Sequence, residues 1–327
     1  MGEVRRQATK LATSAGLDES DAGRVAIVAM ELANNLVRYG QLGEMLLRVC
    51  DAPEVPGVEL LAIDRGPGIS NLRRCLEDGY STGGTPGNGL GAIQRLSAEF
   101  DIFSAQPSGT VVFSRVTKSV RPTSAGKSFE WGVVQRPAPH QSICGDTWRI
   151  AEKGPELAVI VADGLGHGPD AAAAANEAAS VFEQDSFSLT TELLTVADRR
   201  MRATRGAAVA IAQIDARAKK LQFAGVGNIA GHLRSRLETT GKGLCWHNGT
   251  VGAEMRKLQQ FEYDYPDQPL LVMHSDGLQT RWSLDTYPGL ANRHPAVIAA
   301  VLYRDFTRGR DDVTVCVVRS GVPTAAG

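Results

Sequence analysis

Apolar and polar positions recur with two different periods along the first 116 residues. Residues 3–15 and 19–39 carry apolar side chains three and four positions apart, which predicts two amphipathic helices. Asp18 or Ser20 is suited to cap the second of these helices. Four apolar runs predict strands, and a third helix is expected after a glycine-rich stretch. The runs are 45–50, 58–63, 100–105 and 110–116, and the third helix is 89–99.

A polar segment separates this block from the rest of the chain. Residues 118–128 are rich in Arg, Pro, Ser, Gly and Lys and poor in apolar side chains, as is typical of a linker. Beyond it, strand-like runs outnumber helices, which indicates a unit rich in β structure. The strand-like runs are 129–135, 147–152, 157–162, 206–214, 220–226, 269–274 and 313–318, and the helices are 169–184 and 190–203. We therefore predict two α/β domains, residues 1–117 and 129–321.

Composition restricts the class of protein. The 327 residues, 43% hydrophobic and 22% charged, fit two folded soluble domains. A net charge of -1 without a basic stripe argues against a nucleic-acid partner. No apolar run is long enough to span a bilayer or to form a signal core, so we expect a cytoplasmic protein without a membrane partner. The five cysteines form no C-x-x-C pair, which predicts packed thiols rather than disulfides or a zinc site.

Two polar residues in the second predicted helix can act on one ligand. Glu31 and Asn35 are four residues apart and therefore lie on one face. An Asn oxygen can bind a Mg²⁺ ion that bridges phosphates, and a Glu can take the proton from an attacking hydroxyl. This spacing is also common on ordinary exposed helices.

Two glycine-rich motifs change that interpretation. Asp64-Arg65-Gly66-Pro67-Gly68 follows a strand, so its aspartate can accept the exocyclic amine of adenine while the glycines let the backbone approach the base. Gly87, Gly89 and Gly91 then precede or open a helix, where backbone N–H groups can cradle phosphates. Either motif alone is also compatible with a surface turn.

Together the three motifs resemble the Bergerat ATP-binding fold of the GHKL family, and more narrowly the RsbT-type switch kinases. The resemblance implies that Asn35 holds Mg²⁺ with ATP, Glu31 is the catalytic base and Asp64 reads adenine, with Thr110 close by. Gly66, Gly68, Gly87, Gly89 and Gly91 would complete the ATP site. Members of this family usually begin with an additional strand, whereas here the first helix is expected to start almost at Met1, so either that strand is missing or the start of the sequence is misplaced.

Aspartates stand at four strand ends of the second block, at Asp146, Asp163, Asp276 and the pair Asp311-Asp312. Carboxylates from the ends of neighbouring strands can converge on hard divalent cations. Two such ions can bind a phosphate and supply hydroxide for in-line attack. A single Asp-Gly is most often a β-turn, but four such sites at strand ends point to a metal centre.

The order of these motifs resembles the PPM metal-dependent phosphatases in their SpoIIE and RsbX branch. The resemblance implies a β-sandwich flanked by helices and two ions, Mn²⁺ or Mg²⁺. Asp163 would bridge both ions as the catalytic ligand, Asp146 and the Gly164 carbonyl would bind one, and Asp276 and Asp311 the other. Two further residues lie close in sequence to these aspartates. Cys144 is interpreted as a packed thiol, and His167 as a turn or supporting residue rather than a general acid.

Both resemblances imply the same partners, proteins with STAS domains in a bacterial stressosome-like switching pathway. The sequence therefore predicts a bifunctional protein that phosphorylates and dephosphorylates serine or threonine in such partners. The alternative is a phosphatase whose first domain only senses ATP or binds a STAS or anti-sigma partner. A homo-oligomer is compatible with either prediction.

Overall fold

The structure is a computed structural model, and it describes residues 1–50, 56–76, 89–118 and 128–320. The chain divides into two compact units, Met1–Ala125 and Gly126–Gly327. Each unit has a hydrophobic core of its own. Within the described ranges, no helix is both long and apolar enough to cross a membrane.

The first unit is a four-stranded antiparallel sheet with helices packed on one face. The strand order is β1-β2-β4-β3. Its helices are α1 (Gly2–Ser14), α2 (Glu19–Tyr39), the short α3 (Leu72–Cys75) and α4 (Gly89–Leu96). Its strands are β1 (Glu44–Val49), β2 (Gly57–Ile63), β3 (Glu99–Ala105) and β4 (Gly109–Thr117).

Helix α2 is the central element of this core. Its buried face, which includes Val25 and Leu32, packs with Leu60 of β2 and Ile93 of α4. Of the two predicted capping residues the structure uses Asp18, whose carboxylate accepts the Asp21 backbone N–H at 2.8 Å. The helix therefore begins at a fixed point and projects its half-buried face away from the core.

A ladder of opposite charges crosses the first sheet on its other face. Arg48, Glu59, Arg115 and Glu99 lie directly opposite one another on the four strands. Glu59 accepts from Arg48 and from Arg115 at 2.6 Å each, and Arg115 also pairs with Glu99. Burial alone would raise the pKa of Glu59, but the two guanidinium groups lower it to about 2. A one-residue slip of any strand would break the ladder, so it fixes the register.

The second unit contains two five-stranded antiparallel sheets, ordered β12-β9-β8-β7-β6 and β11-β10-β13-β14-β5. The strands are β5 (Phe129–Arg136), β6 (Asp146–Lys153), β7 (Glu156–Gly164), β8 (Ala207–Asp215), β9 (Lys220–Val226), β10 (Ala230–Ser235), β11 (Gly241–Gly243), β12 (Phe261–Asp264), β13 (Pro269–His274) and β14 (Val313–Ser320). The helices are α5 (Pro169–Gln184), α6 (Thr190–Met201) and α7 (Pro295–Phe306).

The two sheets pack face to face and are covered by helices on both outer faces. The core between the sheets includes Leu157 and Phe223 from one sheet and Met273 and Val318 from the other. Helices α5 and α6 pack on the β6–β9 sheet, and α7 packs on β5 and β14. The predicted fold is confirmed: a mixed α/β unit is followed in the chain by a β-sandwich that is flanked by helices.

Four elements of this unit escape the sequence prediction: β10, β11, β12 and α7. Helix α7 is buried almost all round, from Pro295 to Leu302, so it lacks the amphipathic pattern that marks a surface helix. It also approaches β5 closely, since a Cβ on Gly132 would lie 2.0 Å from the Ala296 nitrogen. Strands β11 and β12 have only three and four residues, too few for a clear periodic signal, and the six residues of β10 include only two apolar side chains, Ala230 and Leu233.

Candidate functional site

The first unit brings Glu31, Asn35 and Gly89 together. Both polar side chains project from α2 towards the start of α4. The Glu31 Oε2 and Asn35 Oδ1 atoms lie 3.5 and 3.8 Å from the position that a Cβ on Gly89 would occupy. The glycine therefore leaves room beside both polar groups. Gly91 is buried within α4, and Gly87 lies outside the described residues.

Asp64 stands at the end of β2 and holds the turn that follows it. Its Oδ1 atom accepts the backbone N–H groups of Gly66 at 2.7 Å and Thr110 at 3.3 Å. The Asp64 backbone N–H in turn donates to the Thr110 carbonyl at 2.9 Å. Gly68 has a φ of 75°, and a Cβ there would lie 2.7 Å from the Ala105 oxygen, so only glycine fits this turn.

This turn packs against the C-terminal end of α2, one helical turn beyond Asn35. Arg65 donates its backbone N–H to the Gln41 oxygen at 2.8 Å. A Cβ on Gly66 would lie 2.6 Å from the Tyr39 oxygen. The structure thus places the described members of the predicted ATP site at one end of α2, on a single side of the first unit.

In the second unit, Asp146 and Asp163 face each other across two strands. Asp146 opens β6 and pairs in register with Asp163 near the end of β7. Asp146 is buried and Asp163 is half-buried. Gly164 follows directly, and a Cβ there would lie 2.0 Å from the Ala171 oxygen, so α5 starts tightly against this strand end. One sheet therefore places two carboxylates side by side at its end, with Gly164 next to them in the chain.

The opposite sheet contributes three more carboxylates at the same end of the sandwich. Asp276 follows β13, while Asp311 and Asp312 precede β14, its hydrogen-bonded neighbour. Asp276 is half-buried, Asp311 exposed and Asp312 buried. The Ala138 backbone N–H donates to Asp312 Oδ1 at 2.8 Å. We refer to Asp146, Asp163, Asp276, Asp311 and Asp312 as the acidic centre.

Ser275 joins the two halves of the acidic centre. Its hydroxyl donates to Asp146 Oδ2 at 2.6 Å and accepts the Thr314 backbone N–H at 2.9 Å. Asn228 similarly donates its amide to Asp276 Oδ2 at 2.7 Å. Neither Ser275 nor Asn228 was singled out from the sequence. Both lie at strand ends, beside or across from a carboxylate, which is the signal that could have found them.

Crowding of like charges dominates the electrostatics of the centre. Burial, together with the charges of the other four carboxylates, raises the pKa of Asp163 to about 9. Burial also raises the pKa of Asp146 to about 7, although the hydrogen bond from Ser275 opposes the shift. Asp276 has a raised pKa as well, first through burial and then through Asp311. Ionising these groups together is costly unless a cation joins them.

The donor set fits a hard divalent cation. Two buried carboxylate oxygens, Asp146 Oδ1 and Asp312 Oδ2, have no hydrogen-bond partner among the described residues. Oxygen donors of this kind are the ligands that Mg²⁺ and Mn²⁺ prefer. Within the described residues, however, no three His, Cys, Asp or Glu side chains lie close enough together to hold a metal ion.

Two residues beside the centre take no direct part in it. Cys144 is half-buried, its thiol donates to the Arg136 oxygen at 3.4 Å, and burial raises its pKa. A protonated thiol in this setting packs rather than reacts. His167 is exposed in the loop that follows Gly166.

Comparison with known families agrees with this arrangement. The sequence model of stage II sporulation protein E (SpoIIE) matches residues 153–321, just over half of the 327 residues. The chain belongs to the SpoIIE family. The model of the histidine kinase-like ATPase domain matches residues 1–115. The chain is also 32% identical over 109 residues to the serine/threonine-protein kinase RsbT of Bacillus subtilis, covering 33% of this chain and 82% of RsbT.

Solved structures show the same folds. A structure from work on the bacterial stressosome as a modular system is 28% identical with a TM-score of 0.55, over 59% of this chain and all of that one. RsbX in complex with magnesium is 21% identical, with a TM-score of 0.50 over 59% of this chain and 95% of RsbX. The phosphatase domain of Bacillus subtilis SpoIIE with a regulatory fragment is 16% identical, with a TM-score of 0.50 over 91% and 88% of the two chains. The second unit of this family member therefore has the PP2C phosphatase fold, and the first unit is a homologue of a kinase.

Proposed function

We propose that the chain is a bifunctional enzyme that phosphorylates and dephosphorylates serine or threonine in a protein partner. The observation that carries the proposal is the acidic centre, where five carboxylates from two opposed sheets share one end of the sandwich. Crowding like charges that are wholly or partly buried is costly, and a cationic ligand would offset that cost.

In the phosphatase half, Asp146, Asp163, the Gly164 carbonyl, Asp276 and Asp311 would hold two divalent cations. Ions bound there supply Lewis-acid chemistry, which neutralises phosphate charge and makes hydroxide available near neutral pH. The chain itself orients the ligands: the Ser275 hydroxyl fixes Asp146, and the Asn228 amide fixes Asp276. Asp163 would contact both ions, because its register pairs it with Asp146 and its charge interacts with Asp276 and Asp311.

In the kinase half, the turn held by Asp64 would bind adenine, with Thr110 beside it. Asn35 would hold the Mg²⁺ that accompanies ATP, and Glu31 would accept the proton of the attacking hydroxyl. The proximity of both side chains to Gly89 supports these roles, since a glycine at the start of α4 leaves its N–H groups open to phosphate.

The partner class is inferred from the relatives. RsbT and the stressosome structure point to partner switching on STAS-domain proteins, with serine or threonine as the acceptor. Two opposed activities in one chain would act on one bound partner, because tethering raises the local concentration of each domain.

One experiment tests both halves. The full chain is incubated with a STAS-domain protein encoded near it, ATP and Mn²⁺, and the partner mass is followed with time. Glu31→Gln should abolish phosphate addition and preserve ATP binding, because the base is needed only during transfer. Asp163→Asn should abolish phosphate removal in the same mixture.

The phosphatase assignment and the kinase assignment can each be refuted separately. Removal of phosphate that survives both EDTA and Asp163→Asn would refute the phosphatase assignment. Absence of transfer by the wild type, with ATP binding intact, would instead assign the first unit to ATP sensing or partner binding.

A further inference from the structure

Three exposed arginines stand around the acidic centre without belonging to it. Arg205 lies in the turn that precedes β8, and its Nη1 atom is 3.2 Å from the position that a Cβ on Gly166 would occupy. Gly166 belongs to the loop that follows Asp163. Arg205 therefore lies over the loop on the side of the centre formed by the β6–β9 sheet.

The other two arginines stand on the opposite side. Arg308 and Arg310 lie between α7 and Asp311, and both are exposed. The Arg308 backbone N–H donates to the Gly277 oxygen at 2.8 Å, which ties this segment to the loop that carries Asp276. Both guanidinium groups favour the charged form of Asp276 and thus lie within electrostatic reach of it.

These charges are available to a ligand. Arg205 pairs with Asp170 at 2.7 Å, but the two side chains are 52% and 70% exposed, and such a pair is readily exchanged. Among the described residues, neither Arg308 nor Arg310 forms an ion pair. We refer to Arg205, Arg308 and Arg310 as the arginine rim.

The rim and the centre carry opposite charges, so they suit different parts of a substrate. Under the proposed function, the centre would bind the phosphate once its carboxylates hold cations. The arginine rim lies outside the acidic centre, on two sides of it. If a phosphorylated side chain entered the centre, the residues that flank it in the substrate would pass close to these arginines. Guanidinium groups form charge-assisted and often bidentate hydrogen bonds with carboxylates.

We propose that the arginine rim recognises acidic side chains that flank the phosphoserine or phosphothreonine of the protein substrate. This inference rests on the proposed phosphatase function and adds its substrate class. It predicts that acidic flanking residues raise kcat/KM, mainly through KM, and that salt weakens the preference.

The test uses three synthetic phosphoserine peptides that differ only in their flanking residues: acidic, neutral amide, or lysine. The full chain with Mn²⁺ should hydrolyse the acidic peptide roughly five- to tenfold faster than the neutral one, at low ionic strength and limiting substrate. The double variant Arg308→Glu/Arg310→Glu should lose that preference or reverse it in favour of the lysine peptide. A fivefold increase in salt should reduce the wild-type preference towards unity.

Two controls separate the outcomes. Arg217→Glu reverses an equally exposed arginine in the β8–β9 hairpin, at the far end of the sheet from Ala207, and should keep the wild-type preference. Hydrolysis of p-nitrophenyl phosphate, which has no flanking residues, reports on the centre alone. If neither that small substrate nor any of the three peptides is hydrolysed, the proposed function fails.

Two results would overturn the inference while leaving the function standing. One is a wild type that hydrolyses all three peptides equally. The other is a rim variant whose activity towards the acidic peptide and towards p-nitrophenyl phosphate falls to the same degree. That result would show that the arginines only balance the charge of the centre.

Discussion

Replacing Asp163 by asparagine should make the protein more stable in EDTA while abolishing phosphatase activity. Burial and four neighbouring carboxylates raise the pKa of this side chain from 3.8 to about 9. A raised pKa means that the folded chain binds the proton more tightly than the unfolded chain does. Stability is therefore lost as pH rises from about 4 to about 9. Asparagine has nearly the same shape and no charge, so it removes this cost.

The size of the effect follows from the pKa difference. One pKa unit corresponds to about 1.4 kcal/mol. At pH 8 the unfolded chain ionises this carboxyl while the fold holds its proton, which would cost up to roughly 6 kcal/mol in a rigid site. Water entry and side-chain relaxation reduce such penalties, and we expect a gain of about 1–3 kcal/mol for Asp163→Asn. That gain should raise Tm by a few degrees. At pH 5 it should shrink to about a third, because pH 5 is only about one unit above the ordinary pKa that the carboxyl has in the unfolded chain.

Differential scanning calorimetry of the full chain in EDTA at pH 5 and pH 8 measures this gain. With added Mn²⁺ the wild type should become more stable than Asp163→Asn, because the wild type gains stability by binding the ion. Asp264→Asn serves as the matched control, since this exposed carboxylate is paired with Lys220 and should yield no gain. A variant that is less stable than the wild type at pH 8 in EDTA would show that Asp163 makes favourable contacts, and the reasoning would be wrong.

Three further substitutions test other parts of the structure. Asp64→Asn keeps a carbonyl oxygen for the Gly66 N–H but loses the acceptor for an adenine amine, so ATP affinity should fall roughly ten- to a hundredfold by calorimetry, with an unchanged Tm. Glu59→Gln removes the buried negative charge that Arg48 and Arg115 share and should destabilise the first unit by about 3 kcal/mol in urea at pH 7. The difference should vanish as pH falls from 4.5 towards 2. Ser275→Ala should weaken Mn²⁺ binding about tenfold in titrations, and excess Mn²⁺ should restore kcat; equal Mn²⁺ affinity would argue against a positioning role.

The chemistry-bearing positions could be predicted from the sequence because they are local features. Each predicted carboxylate of the second unit follows or precedes an apolar strand, and strand ends are visible as changes in periodicity. The pair Glu31 and Asn35 shares a face because helical geometry fixes a four-residue spacing. In both cases the sequence pattern needs no knowledge of distant parts of the chain.

The contacts that organise those positions could not be predicted in the same way. The Ser275–Asp146 hydrogen bond joins residues 129 positions apart, and the Ala138–Asp312 bond spans 174. Such pairs depend on which strands become neighbours and in which register, and no local periodicity encodes that choice. Helix α7 was missed for a related reason, because burial on all sides removes the polar stripe that sequence reasoning needs.

The acidic centre also depends on how the two sheets pack. Asp146 and Asp163 belong to one sheet, and Asp276, Asp311 and Asp312 to the other, so no single sheet contains the whole set. The sheets are held together mainly by apolar contacts, which are not directional. The hydrogen bond from Ser275 to Asp146 is directional and crosses the gap at the centre itself. A shift of about one ångström between the sheets would break that bond. The Ser275 hydroxyl therefore fixes the distance between the carboxylates of one sheet and those of the other.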